Sequence, residues 1–274
     1  MNLRAFLRHL LPPVVLKAFR RRRNDEIRFT GDYASWDHAL LDSASYDRQD
    51  IVARISAAEL KVRRGEAADE RDGVTFGEMQ YSFPVLAVLC SAAARAQGKM
   101  HVVDFGGALG RNYRHYKSFL GAQSPVAWSV VELPAFVAAG KAGFESDELR
   151  FFSSIAETRP RGQPSVVLLC SVLQYVEDPY RLVTQLSELR ADHIVIDRTP
   201  CSDLERDVLA VQEVPETIYP ARYPCWIFSR ARLGKAFAPG YHQAAAFRDT
   251  SGPWQGSPVG FELDGFVFNR AGTP

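Results

Sequence analysis

The stretch His-Val-Val-Asp-Phe-Gly-Gly-Ala-Leu-Gly-Arg-Asn-Tyr, residues 101–113, decides the fold. An apolar run of strand length, Met100–Phe105, passes through Asp104 and meets Gly106, Gly107 and Gly110. An amphipathic helical pattern follows at once. Glycines at such a strand-to-helix turn permit a tight bend and let the backbone approach a ligand closely. The helix behind the turn offers unpaired N–H groups and the positive end of its dipole.

Working outward, three more apolar runs have strand length: Val126–Glu132, Ser165–Cys170 and His193–Asp197. Helical stretches near 111–120, 134–142 and 178–190 separate them. Strand–helix alternation predicts a parallel sheet covered on both faces. Tyr241–Arg248 and Phe261–Asn269 read as two strands with no helix between them, an antiparallel pair that closes the sheet. Upstream, Met79, Phe83, Leu86, Cys90 and Ala93 recur at three- and four-residue steps, which is a packed helix with Pro84 in its first turn. Residues 65–73 (GEAADERDG) read as a charged linker, and 29–64 as a polar segment with helical stretches. The domain reading is therefore 1–73 as an N-terminal extension and 74–274 as the α/β domain.

Two further motifs bear on chemistry. Trp128-Ser-Val-Val-Glu132 is a buried-type strand ending in a carboxylate, which an α/β sheet places at its carboxyl edge beside the glycine turn. A carboxylate there can accept both hydroxyls of a ribose. Pro164 to Pro179 holds a strand followed by Ser171, Gln174 and Tyr175. Together the three motifs resemble class I S-adenosylmethionine-dependent methyltransferases, whose first motif is an acidic residue, x, Gly, x, Gly, x, Gly. Ala108 stands in the place of the middle glycine, with Gly107 beside it. The resemblance implies a Rossmann-like, mostly parallel sheet of seven strands with the last one antiparallel. It also implies S-adenosyl-L-methionine as cofactor, held by Asp104, Gly106, Gly107, Gly110, Glu132 and Ser171. The histidine that often follows the fourth strand in that superfamily is absent, so base catalysis from that segment is not expected. The dinucleotide fingerprint GxGxxG is not matched, which weighs against a nicotinamide-dependent oxidoreductase.

Asp197-Arg-Thr-Pro200, the segment Val211–Ser229 and Gly31-Asp-Tyr-Ala-Ser-Trp36 resemble a bacterial methyltransferase family found with surface-polysaccharide (O-antigen type) biosynthesis. That resemblance implies O-methylation of a sugar or polysaccharide precursor. A non-catalytic cofactor-binding subunit of a polysaccharide complex is the alternative. Residues 212–229 are too long for an ordinary connection and carry Tyr219, Tyr223, Trp226 and Phe228 among prolines. They read as a rigid aromatic loop that forms the acceptor pocket or, equally, as a flap covering the core. Tyr175, Tyr223 and Asp197 are the catalytic candidates. Asp197 is either a general base or a structural partner of Arg198.

Composition is that of an ordinary globular protein, 46% hydrophobic and 24% charged, with a formal net charge of +1. That balance gives no reason to expect a nucleic-acid partner. The four cysteines form no CxxC pair and the histidines show no metal spacing, so no metal is expected. Cysteine usage and the lack of a convincing signal peptide point to a cytoplasmic protein. Seven of the 33 basic residues fall within the first 23 positions, which carry no acidic one. With the apolar face of Leu3, Phe6 and Leu10, they predict either peripheral membrane contact or packing on the domain.

Overall fold

The computed structural model describes residues 27–43, 49–96, 99–120, 125–215, 218, 220–238, 240–249 and 257–272. The basic N-terminal segment and Tyr219 lie outside them. The centre of the molecule is a sheet of parallel strands: β4 (Met100–Phe105), β5 (Val126–Val131), β6 (Leu149–Phe152), β7 (Val166–Cys170) and β8 (His193–Ser202). Two later strands, β11 (Tyr241–Asp249) and β12 (Glu262–Arg270), complete it. The order is β6-β5-β4-β7-β8, then β12 antiparallel to β8, then β11 antiparallel to β12. This is the expected Rossmann-like sheet of the class I methyltransferase type, and the antiparallel closing pair falls where the pattern placed it.

Alternation along the strands sorts the core into two layers. Val102, Val166, Leu168 and Val195 pack under α2 (Gln49–Arg63), α3 (Phe83–Arg95), α4 (Arg111–Lys117) and α5 (Pro134–Gly143). Val103, Val167, Leu169, Ile194 and Ile196 pack under α6 (Pro179–Ser187) and α7 (Arg230–Ala236). Burial on both faces is why these strands read as continuous apolar runs. Proline opens three of the helices at N1 or N2, where a missing N–H costs nothing: Pro84, Pro134 and Pro179.

The structure corrects three expectations. Most of 212–229 is strand rather than loop: 212–214 and 221–229 belong to a hairpin of β9 (Val208–Val214) and β10 (Ala221–Ser229), which β1 (Arg28–Thr30) extends on the far side of β9. Pro224 is tolerated in β10 because only β9 lies beside it there; β8 joins β10 later, at Phe228 and Ser229. Second, strand β8 does not end at Asp197. It leaves β7 at the Cys170–Asp197 pair, passes a register shift against β12 between Asp264 and Phe266, and runs on to meet β10 at Cys201. Arg198 sits in that irregularity with φ of 51°. A bulge bends a strand and re-aims its side chains.

Third, 65–73 is not a bare linker. Asp69–Arg71 forms β2, paired with β3 (Val74–Phe76), and the side chains of Asp69 and Glu70 are buried. Arg111 Nη2 donates to Asp69 Oδ2 at 2.7 Å, and His115 Nε2 lies 2.6 Å from Asp69 Oδ1. Arg114 grips Glu59 on α2 with two hydrogen bonds of 2.9 Å. Burial works against the Asp69 charge, but His115 and Arg111 outweigh it and hold the carboxyl well below the usual range. His101 bonds Gly162 O and Ser129 Oγ, and His193 Nδ1 bonds Asn269 Oδ1.

Candidate active site

A cavity of about 460 Å³ opens at the carboxyl edge of the sheet. In open α/β sheets this edge, where strand order reverses, is where ligands bind. Here the reversal lies between β4 and β7, the first strand pointing its chain toward β5 and the second toward β8.

One end of the cavity is the glycine turn. Gly106 has φ of 71°, and a Cβ there would run into the side chain of Val172. A side chain at this position is excluded twice, by backbone conformation and by space. A Cβ on Gly107 would collide with the carboxylate of Asp104. Glu132 follows the end of β5 and lines the same cavity. Its Oε1 accepts from the N–H of Ala108 at 3.1 Å and its Oε2 from the N–H of Leu133 at 2.8 Å. Ala108 takes a left-handed φ of 47°, the conformation for which the motif ordinarily supplies glycine. Ser171, also at a positive φ of 57°, joins the wall.

Asp104 and Gly110 are placed differently from expectation. Neither lines the cavity. Asp104 is fully buried and accepts from Asn112 Nδ2 at 3.1 Å and Trp128 Nε1 at 3.0 Å. Burial pushes its carboxyl up to about 6, against the pull of those two hydrogen bonds. It organises the turn from behind rather than touching a ligand. Gly110 starts α4 at φ of 86° against Leu149.

The other end of the cavity gathers residues from four distant segments. Tyr175, after β7, and Tyr223, on β10, stack edge to face with centroids 5.1 Å apart. Gln212 on β9 joins them: Tyr175 Oη donates to its Oε1 at 3.0 Å, and its Nε2 donates to Tyr223 Oη at 3.1 Å. Among the described residues, the aromatic segment therefore contributes the ring of Tyr223 to the cavity. Trp226 instead stacks on Trp36 and donates to Val176 O, and Phe228 is core. Asp197 is not in the cavity wall. It is buried toward Ser82 and Arg198; burial raises its pKa while Arg198 pulls it down. Of its two readings, the geometry places it with Arg198, whose Nε is 3.9 Å away.

Sequence reasoning missed Glu70, Arg71 and Arg198 as site residues. All three line the cavity. Glu70 is 2% exposed, and its Oε2 accepts from the N–H of Gly73 at 3.3 Å. Burial, with Glu59 and Asp72 nearby, pushes its carboxyl up to about 7. Among the described residues no cluster of metal-ligating side chains occurs, and no helix is long and apolar enough to cross a membrane.

No family model and no curated protein matches the chain. Among solved structures, the N-terminal domain of EvdMO1 with SAH bound is 16% identical, with 78% of this chain and 96% of that chain covered and a TM-score of 0.49. SAM-bound CalS10, an amino pentose methyltransferase from Micromonospora echinaspora, is 14% identical, covering 69% and 89% with a TM-score of 0.44. Magnesium protoporphyrin IX methyltransferase (ChlM) from Synechocystis PCC 6803 with bound SAM is 13% identical, covering 84% and 100% with a TM-score of 0.44. The strand order described above, rather than these likenesses, defines the class. It is the Rossmann-like class I methyltransferase fold, with a glycine turn and an acidic strand end at its carboxyl edge.

Proposed function

We propose that this chain is an S-adenosylmethionine-dependent methyltransferase acting on a hydroxyl of a sugar or polysaccharide precursor. The observation that carries the reading is the shared cavity. The bare glycine turn and Glu132 line it together with Tyr175, Tyr223 and Glu70. A transferase of this kind needs both halves in contact.

The residues fit the cofactor. Gly106 leaves backbone uncovered where a Cβ would fill the cradle. Glu132, oriented by two backbone N–H groups, presents carboxylate acceptors for ribose hydroxyls. Gly107 and Ser171 complete the cradle. When bound, the cofactor supplies a methyl group already activated on a sulfonium.

The chain's own residues then have modest work. Alignment of acceptor and methyl group, with water kept out, is worth up to about 7–11 kcal/mol in favourable cases. Tyr175 and Tyr223, locked by Gln212, give a rigid aromatic wall of the type that suits a sugar ring. Glu70 replaces Asp197 as the candidate general base. It faces the cavity, and a carboxyl near 7 is matched to taking a hydroxyl proton at neutral pH. Incubating the purified protein with radiolabelled S-adenosylmethionine and glycan precursors tests the reading. Label transferred to an acceptor hydroxyl supports it. Cofactor binding with no transfer to any hydroxylated acceptor favours the non-catalytic binding subunit.

A further inference from the structure

Two arginines in the cavity wall come from unrelated segments, Arg71 from β2 and Arg198 from the bulge in β8. Strands β5 and β8 are three strand spacings apart, about 14 Å. Arg198 therefore lies well away from Glu132. Arg198 has Asp197 as a loose ion-pair partner at 3.9 Å, whereas Arg71 has none of the close pairing usual for a buried arginine. Among the described residues Arg71 forms no ion pair; its Nη2 donates to the neutral amide of Gln80, and its Nε is buried with no partner. Arg198 Nε is also buried without a hydrogen bond, since the carboxylate of Asp197 is 3.9 Å away. The contrast is Arg111, in the same wall, which is paired closely with Asp69.

A buried donor left unmade is costly, and two cations in one wall repel. The repulsion registers on Arg71: burial, then the charges of Arg198 and Arg111, bring it down to about 10. Asp72, exposed on the turn after β2, and Glu70 also reach this part of the wall. Asp72 acts on both arginines as a nearby charge, but neither it nor Glu70 bonds either Nε. Planar guanidinium forks match carboxylate and phosphate oxygens.

Resting on the methyl-transfer reading above, we infer that the acceptor carries an anionic oxygen group, a phosphate ester or a carboxylate, gripped by Arg71 and Arg198. A neutral sugar would leave the Arg71 guanidinium in the cavity wall without a counter-ion. An anionic group on the acceptor supplies that counter-charge, relieves the repulsion and fixes which hydroxyl faces the methyl donor.

The arginine Nε–H resonances of the full chain give a direct test, assigned through Arg71→Lys and Arg198→Lys, with S-adenosylhomocysteine binding measured on the same samples. The probes are inorganic phosphate, acetate, galactose and sodium chloride at matched ionic strength. Both resonances should move saturably with phosphate or acetate and stay still with galactose and chloride. Movement with phosphate alone identifies a phosphate ester, and movement with acetate alone a carboxylate. Arg71→Gln and Arg198→Gln should each weaken anion binding at least tenfold, with partial recovery in the lysine variants. The inference is overturned if neither resonance moves with either anion, or if chloride moves them equally. Absence of S-adenosylhomocysteine binding would instead sink the methyltransferase reading, whatever the anions do.

Discussion

The N–H of Ala108 donates to the carboxylate of Glu132 at 3.1 Å, tying the glycine turn after β4 to the end of β5. To reach it, Ala108 holds a left-handed backbone that costs a non-glycine residue about 1–2 kcal/mol. Ala108→Gly should therefore keep the hydrogen bond and leave the melting temperature equal or higher. Ala108→Val, whose β-branched side chain is poorly tolerated at positive φ, should lower the melting temperature. Thermal melts of both variants check this; a stable valine variant would mean that the turn is not built this way.

Tyr175→Phe removes one hydroxyl from the Tyr175–Gln212–Tyr223 chain and leaves the Gln212 carbonyl without that donor. Stability should drop by about 1 kcal/mol, with S-adenosylhomocysteine affinity unchanged and methyl transfer reduced. Tyr223→Ala is the harsher change. Its ring is only 6% exposed, so removal should cost about 3–5 kcal/mol as any core aromatic would. If Tyr175→Phe lowers cofactor affinity and transfer together, the tyrosines do not belong to the acceptor half.

Glu70 gives a pH signature. Its folded carboxyl sits at about 7 against 4.5 for the free side chain, so the folded state binds protons more tightly than the unfolded. Stability from that preference is present at low pH and lost as pH rises through 7. Glu70→Gln should then be more stable than the parent by about 3 kcal/mol at pH 8, and by less than about 1 kcal/mol at pH 5. Denaturant titrations at the two pH values measure it. A gain that does not change with pH would place Glu70 in an ordinary solvated setting.

Much of the sheet was legible because its strands are buried on both faces. Val102, Val103, Val130, Val131, Val167 and Leu168 leave an unbroken apolar record, and glycine and proline mark the turns between. The hairpin was not, since Pro220 and Pro224 look like loop residues until one strand is known to be open along that side. The acceptor half was least legible. Asp69 and Glu70 are charges in a charged run, and only Arg111 and His115, more than 40 positions later, show why they are buried. Arg198 was visible only as a neighbour of Asp197; the bulge that turns it into the cavity has no local signal.

The same long-range pairing predicts a stability effect. Asp69→Ala leaves Arg111 and His115 without their shared carboxylate, in a setting where breaking a buried pair costs about 3–5 kcal/mol. The carboxyl is held below its usual 3.8, so its contribution is present above that pH and lost as pH falls through the folded value. The deficit of Asp69→Ala should accordingly be full at neutral pH and shrink in strong acid. A variant as stable as the parent at pH 7 would show that β2 is not fastened to α4.

The central claim is tested most directly by calorimetric titration of the purified chain with S-adenosylhomocysteine, run beside Glu132→Ala and Gly106→Val. The parent should bind one equivalent. Glu132→Ala should bind more weakly by about 1–3 kcal/mol, the cost of losing charge-assisted hydrogen bonds, and Gly106→Val should not bind. No heat of binding to the parent, or an affinity unchanged in Glu132→Ala, would contradict the account.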